Sequence, residues 1–208
     1  MGLSESTLHA HLDTLAHSDP DVARALEAVG YPAPRHRDPG FATLFQVIVS
    51  QQVSTRAASA IWQQCQASFG NEPTADAVRA ATPAHLRACG LSARKCEYAS
   101  DLADRFVSGE LSAAQIAALD DEAAITALTA VRGIGRWTAE IYLLFAEGRH
   151  DVWPADDLAI QVAFQRLKGL DERPRGRAFY DLSAPWSPRR GAAALLMWAV
   201  YGSGTLDP

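Results

Sequence analysis

The sequence is short of the residues that build metal clusters and crosslinked scaffolds. It has three cysteines in 208 residues, Cys65, Cys89 and Cys96, with no C-x-x-C spacing. Three thiolates alone cannot complete a four-cysteine zinc or iron–sulfur site. An odd, unclustered set also argues against a disulfide framework and for a reducing compartment, so a cytoplasmic location is expected. The six histidines form no i, i+4 pair beside an acid, so a catalytic metal of the metalloprotease type is not expected. Long apolar runs are missing as well. Polar residues interrupt every stretch well before the ~20 apolar residues that span a bilayer, and no membrane partner is expected. The opening MGLSESTLHA places no basic segment ahead of an apolar one, so no secretory signal is expected. Gly2 and Ser6 fit the loose myristoylation pattern, but Ser4 and Glu5 read as the start of an ordinary amphipathic helix. An excess of positive charge is absent too: 19 Lys and Arg face 24 Asp and Glu, a net charge of −5. Affinity for nucleic acid rests mainly on neutralising phosphates. A nucleic-acid partner would therefore need a local surface or backbone donors.

What is present is a helical pattern. The chain is 48% hydrophobic and rich in Ala and Leu. Apolar residues recur at three- and four-residue spacing, as in Leu8, Leu12 and Leu15, or Leu44, Val47 and Ile48, or Leu195, Trp198 and Ala199. Period-2 alternation over strand length is hardly visible. Proline and glycine cut the pattern at Asp19-Pro20, Pro32 to Pro39, Gly70 to Pro73, Pro83, Gly90, Gly109, Gly133 to Gly135, Pro154, Pro174 and Pro185 to Pro188. This punctuation predicts an all-α fold of roughly ten to twelve helices. No fixed-period repeat or low-complexity tract occurs. The Pro-rich stretch Tyr31 to Pro39 and the loop Gly148 to Trp153 are the candidate crossings between lobes.

The informative run is LTAVRGIGRWTAEIYLLFAEGRHDVWPADDLAIQ, Leu128 to Gln161. A helix is predicted to end near Thr129, the chain to turn through Val131-Arg132-Gly133-Ile134-Gly135, and a second helix to begin at Arg136. Two glycines two apart permit a tight hairpin and close approach of another backbone. The N–H groups of the glycines and of the following first turn lack intrahelical partners and, with the helix dipole, suit an anion such as phosphate. Such a device binds a nucleic-acid backbone without net positive charge. By itself, Gly-Ile-Gly between helices is equally a turn in a bundle. Asp157 stands twenty residues after Trp137, preceded by Pro154-Ala155-Asp156. Pro suits a helix's first turn and Asp its cap. Two adjacent acids exceed what one cap needs, which leaves one carboxylate for chemistry.

Taken together these motifs resemble the helix-hairpin-helix, Gly/Pro-Asp superfamily of base-excision DNA glycosylases, and within it the 3-methyladenine DNA glycosylase II family. The resemblance covers Phe41 to Gly202. It rests on Ser50-Gln51-Gln52-Val53-Ser54, Gly90-Leu91-Ser92-Ala93-Arg94-Lys95, Gly133-Ile134-Gly135-Arg136-Trp137-Thr138-Ala139, Pro154-Ala155-Asp156-Asp157, Trp186-x-Pro188-Arg189, and Trp198. It implies two helical lobes around a DNA-binding cleft, one from residues 1–31 with 150–208 and one from residues 32–149. It also implies a monomer acting on double-stranded DNA with damaged bases, cytoplasmic and nucleoid-associated if bacterial.

The resemblance assigns roles by position. Asp157 matches the catalytic aspartate, which would oppose positive charge on the sugar and orient or deprotonate water. Asp156 is then read as the helix cap. Gln52 matches the wedge that fills the gap left by a flipped base. Position 137 holds a Schiff-base lysine in lyase-capable relatives; Trp137 has no such amine, so a monofunctional enzyme is expected. Trp137 and Trp198, with Tyr142 and Trp153 as further candidates, would line a pocket whose indoles suit cationic, alkylated bases. Gly133, Gly135, Arg136, Thr138 and Arg132 are the expected DNA contacts. Main-chain carbonyls of Thr129, Val131 and Ile134 would hold a monovalent cation, Na⁺ or K⁺. No iron–sulfur cluster and no required cofactor are expected, since no cysteine lies beyond Cys96. Two departures are noted: Arg132 stands where relatives often have proline, and Ile141 where some carry an aromatic residue. A non-enzymatic hairpin module and a glycosylase for oxidised or mismatched bases stay open as alternatives.

Overall fold

Helix caps and proline or glycine stops set the elements. The computed structural model describes residues 2–204. The helices are α1 (Glu5–Ser18), α2 (Pro20–Val29), α3 (Phe41–Ser50), α4 (Thr55–Phe69), α5 (Ala75–Ala80), α6 (Pro83–Ala88), α7 (Ala93–Ser108), α8 (Ala113–Ala118), α9 (Asp121–Thr129), α10 (Arg136–Tyr142), α11 (Leu158–Lys168), α12 (Gly176–Ser183) and α13 (Arg190–Ser203). A π-helical turn, Leu143–Glu147, continues from α10, and a 3₁₀ turn, Ala184–Trp186, follows α12. No strand occurs among the described residues. The excess over the expected helix number comes from the six-residue α5, α6 and α8. Each has its own side-chain cap, Thr74, Thr82 or Ser112, accepting an N–H of the first turn. Ser4, Asp19, Ser54, Ser92 and Asp120 cap α1, α2, α4, α7 and α9 likewise. Each such cap contributes about 1 kcal/mol.

The chain divides into two compact units, Met1–Arg37 with Leu143–Pro208, and Asp38–Tyr142. These boundaries differ from the expected 31/32 and 149/150. The second falls inside a continuous helical segment, where α10 passes into the π-turn without a glycine or proline to mark it. The π-turn is held in the terminal unit by Arg37 N–H on the Phe145 carbonyl, 2.9 Å, and by Arg149 N–H on the Leu143 carbonyl, 3.0 Å.

In the terminal unit, α13 packs on α1, α2 and α11. Its run Gly191 to Met197 is buried without interruption, as suits a helix apolar on all sides. Gly191 is required there: a Cβ would lie 2.9 Å from the His150 carbonyl and 3.0 Å from that of Arg149. Trp153, Phe164, Phe179 and Trp186 form an aromatic cluster with ring centroids 5.0–6.4 Å apart, mostly edge to face. Asp19 accepts the Trp186 indole N–H at 2.8 Å and the Lys168 ammonium at 2.7 Å. Asp151 accepts two hydrogen bonds from the Arg190 guanidinium, at 2.9 and 2.7 Å, and the Ser187 hydroxyl at 2.7 Å.

In the central unit, α7 packs against α3, α5 and α6, while α10 packs on α9 and α3. The core draws on Phe45, Ile48, Leu86, Leu102 and Ile116, all fully buried. Cys65, Cys89 and Cys96 are free and buried, and burial pushes the Cys65 thiol up to about 12. A thiol so protonated is a poor nucleophile and behaves as a small apolar core residue.

Candidate active site and hairpin

The hairpin forms where the sequence predicts it. Helix α9 ends at Thr129, the turn is closed by Val131 N–H on the Leu128 carbonyl and Ile134 N–H on the Val131 carbonyl, both 3.1 Å, and α10 begins at Arg136. Gly133 has φ +82°, and a Cβ on it would lie 2.2 Å from the Tyr98 ring. Only glycine fits both constraints. Gly135 is different: its φ is ordinary and a Cβ would meet nothing within 4 Å, so the structure leaves its Cα side open. Arg132 is exposed, and its backbone N–H donates to Asp101 at 2.9 Å.

Two of the expected DNA contacts, Arg136 and Thr138, lie in the first turn of α10. The Arg136 guanidinium binds Glu140 at 2.9 Å and Glu122 through both terminal nitrogens, at 3.0 and 2.5 Å. Glu140 is 1% exposed, so the arginine is needed to neutralise a buried carboxylate. Thr138 is buried, and it contributes to the lining of the hollow beside the hairpin. Thr129, Val131 and Ile134 lie at the end of α9 and in the turn, where carbonyls lack i+4 partners. The Val131 carbonyl accepts the Ile134 N–H.

Beside the hairpin lies a hollow of about 530 Å³, whose lining includes Gln51, Gln52, Lys95, Tyr98, Gly133 and Trp137. Trp137 is 42% exposed, unusually high for an indole, and presents apolar surface to this hollow. Gln52 has φ +53°, the only positive φ outside glycine among the described residues. The left-handed conformation costs a residue with a Cβ roughly 1–2 kcal/mol, and strain of this kind gathers at functional loops. Gln52 is exposed, while its neighbour Gln51 donates its side-chain amide to the Gly133 carbonyl at 2.7 Å.

In the terminal unit, Asp157 is the N-cap of α11: its Oδ1 accepts the Ile160 N–H at 3.0 Å. The cap role assigned to Asp156 is therefore corrected. Asp156 is exposed, because the turn closed by Asp157 N–H on the Pro154 carbonyl, 3.0 Å, brings the second acid to the helix start. The same Oδ1 accepts the Trp198 indole N–H at 3.2 Å. Buried Gln161 steadies the turn by donating to the Ala155 carbonyl at 2.7 Å. The Trp198 ring lies 5.5 Å from Phe145, and the Arg35 guanidinium sits 5.2 Å from the indole centroid.

Trp153 and Tyr142 are corrected as pocket residues. Trp153 is 2% exposed inside the aromatic cluster, and Tyr142, 1% exposed, accepts the Gly40 N–H at 2.8 Å at the start of α3. The structure thus groups Trp137, Gln52 and Gly133 in one unit, and joins Asp157 to Trp198 in the other.

Residues 45–188 match the model of the HhH-GPD superfamily base excision DNA repair proteins. The chain belongs to that superfamily. It is 34% identical to DNA-3-methyladenine glycosylase 1 of Schizosaccharomyces pombe, over 88% of this chain and 83% of that protein. It is 29% identical to DNA-3-methyladenine glycosylase 2 of Escherichia coli, over 87% of this chain and 66% of the relative. Among solved structures it resembles an S. pombe 3-methyladenine DNA glycosylase in complex with abasic DNA. That pair has a TM-score of 0.80 and 32% identity, covering 91% of this chain and 95% of the other. It also resembles a DNA-3-methyladenine glycosidase of Bacillus halodurans, TM-score 0.84 and 29% identity, over 93% and 90% of the two chains.

Within this superfamily frame, three residues carry contacts that sequence reasoning gave no role. Gln51 and Gln161 were legible only as polar members of longer motifs, because what they bind is main chain. Lys95 closes the Gly90 to Lys95 motif; it is buried, and its ammonium donates to the Val49 carbonyl at 2.7 Å. Burial holds its pKa below the ordinary lysine value.

Proposed function

We propose that this chain is a monofunctional DNA glycosylase. It excises alkylated bases of the 3-methyladenine type from double-stranded DNA in base-excision repair, acting as a monomer. The observation that carries this reading is the fixed pairing of Asp157 with the Trp198 indole at the start of α11, in a chain of this superfamily.

The chemistry follows from the residues. An alkylated purine already carries positive charge on its ring and leaves readily, so no general acid is required. Positive charge develops on the sugar as the C1′–N bond breaks. A carboxylate held in place by two N–H donors opposes that charge without reorganising, and can orient or deprotonate the attacking water. The Trp198 indole, bonded to Asp157, supplies a face for the extruded base. Gln52, held outward by its backbone, enters the gap in the stack, and the hairpin N–H groups take a DNA phosphate. A monovalent cation held by the Thr129, Val131 and Ile134 carbonyls would add positive charge for that phosphate. Trp137 offers no amine for a Schiff base, so the strand is left intact at an abasic site.

The test is base release from methylated duplex DNA, with the freed bases identified and the strand examined. Release of 3-methyladenine or 7-methylguanine from an unbroken strand is expected, with no adduct trapped by borohydride. A trapped adduct removes the monofunctional assignment. Release confined to oxidised or mismatched bases removes the substrate assignment, and no release of any base leaves a binding module.

A further inference from the structure

We propose that Gln51 is a positioning residue that ties the base-displacing loop to the hairpin, so that phosphate engagement and wedge insertion act as one mechanical unit. The proposal rests on the reading of Gln52 as the wedge.

Three contacts carry it, all built on one face of α7, where residues three apart stack above one another. Lys95 donates to the Val49 carbonyl at 2.7 Å, which fixes the end of α3. Tyr98 lies against the α-carbon of Gly133, too close to admit a Cβ there. Asp101 accepts the Arg132 N–H at 2.9 Å. Helix α7 thus holds both the end of α3 and two consecutive residues of the hairpin. At Gln51 the loop after α3 reaches the hairpin by its own side chain. Its amide donates to the Gly133 carbonyl at 2.7 Å.

The next residue, Gln52, then adopts φ +53° and is exposed. A side chain anchored at 51 followed by a left-handed residue at 52 fixes the direction in which Gln52 projects. Without the anchor, the loop is free to relax to ordinary backbone angles and the wedge loses its aim. Because the acceptor is a main-chain carbonyl, position 51 needs a donor. Glutamate has the same length and presents only acceptors.

The experiment compares single-turnover excision of a methylated base from two substrates. In one the lesion is paired within a duplex; in the other it is already unstacked, opposite an abasic site. Gln51→Ala, Gln51→Glu, Gln52→Ala and the Gln51→Ala/Gln52→Ala double variant are assayed, with 2-aminopurine beside the lesion reporting displacement and melting temperatures reporting folding. Both Gln51 variants are expected to slow excision and displacement on the paired duplex by roughly 10-fold, the rate equivalent of one hydrogen bond. On the unstacked substrate they should come within about 2-fold of the parent, since an unstacked base needs little further displacement. The double variant should be about as slow as the worse single variant, because residues acting as one unit are not additive. Full activity of Gln51→Ala or Gln51→Glu on paired duplex overturns the proposal. So does an equal loss on both substrates, which marks general damage to the fold. If Gln52→Ala displaces the base normally, the wedge reading itself fails; if it is slow while Gln51→Ala is not, only the tie is lost.

Discussion

Asp157 holds two roles on one oxygen: it caps α11 through Ile160 and receives the Trp198 indole. Asparagine keeps an Oδ1 acceptor for both bonds and is nearly as good an N-cap. Asp157→Asn should therefore fold, melt close to the parent and still bind an abasic analogue. It removes the charge that opposes the developing cation, so base release should fall roughly 10²-fold or more. Asp156→Asn, at an exposed position outside the cap, should change neither stability nor rate appreciably. Melting temperature, affinity and single-turnover release for both variants test this. A normal rate in Asp157→Asn reduces Asp157 to a cap. The sequence located this aspartate through Pro154 and its distance from Trp137, but not the division of labour between the two acids. Which acid reaches the helix start depends on the Pro154–Asp157 turn, and the sequence carries that turn without stating its register.

At the scale of the element, the hairpin was legible because glycine spacing, helix ends and the restart at Arg136 are local properties. Its supports were not, since Asp101, Tyr98 and Gln51 come from distant parts of the chain. The two glycines now separate. Gly133→Ala meets both a left-handed φ and the Tyr98 ring, so it should destabilise the central unit and weaken binding to all DNA alike. Gly135→Ala meets no neighbour and has an ordinary φ, so its melting temperature should stay near the parent's. It should still weaken binding if DNA approaches that open side. Unaltered DNA affinity in Gly135→Ala would remove close backbone approach at this residue from the mechanism. Losses limited to one damaged base would contradict a phosphate role for either glycine. The sequence also offered Arg136 and Thr138 as contacts; the structure adds that the Arg136 guanidinium binds buried Glu140 and that Thr138 lines the hollow beside the hairpin.

For the whole molecule, charge gives two measurable consequences. With a net charge of −5 and Arg136 engaged by carboxylates, the proposed phosphate contact through hairpin N–H groups predicts that log K against log salt falls with a shallow slope, of magnitude below about 3. A steep slope would reveal more cationic phosphate contacts than this reading contains. The second concerns acid. Burial would raise Asp19, but the hydrogen bonds from Lys168 and Trp186 outweigh it and hold the carboxyl below its ordinary 3.8. Asp151 is likewise raised by burial and held below 3.8 by Arg190 and Ser187. A depressed folded pKa contributes stability that is complete above the unfolded value and is lost as pH falls through the folded one. Through these two groups, melting temperature should hold down to about pH 5 and decline below about pH 4. Lys168→Met should lower the melting temperature at pH 7 by roughly 2–4 °C, the shift of about 1 kcal/mol in a chain of this size, and should flatten the acid decline. A parent-like acid profile would show that Asp19 draws its stabilisation elsewhere. By itself the sequence determined the helical class, the hairpin, the absence of a lysine at 137 and the position of Asp157. All of these follow from periodicity, from glycine and proline, and from residue identity, which are local. Only the tertiary structure decided that Tyr142 and Trp153 are core, that Asp157 is both cap and indole partner, and that one chain unit ends inside a continuous helical segment. Those outcomes are set by which surfaces, remote in sequence, exclude water together.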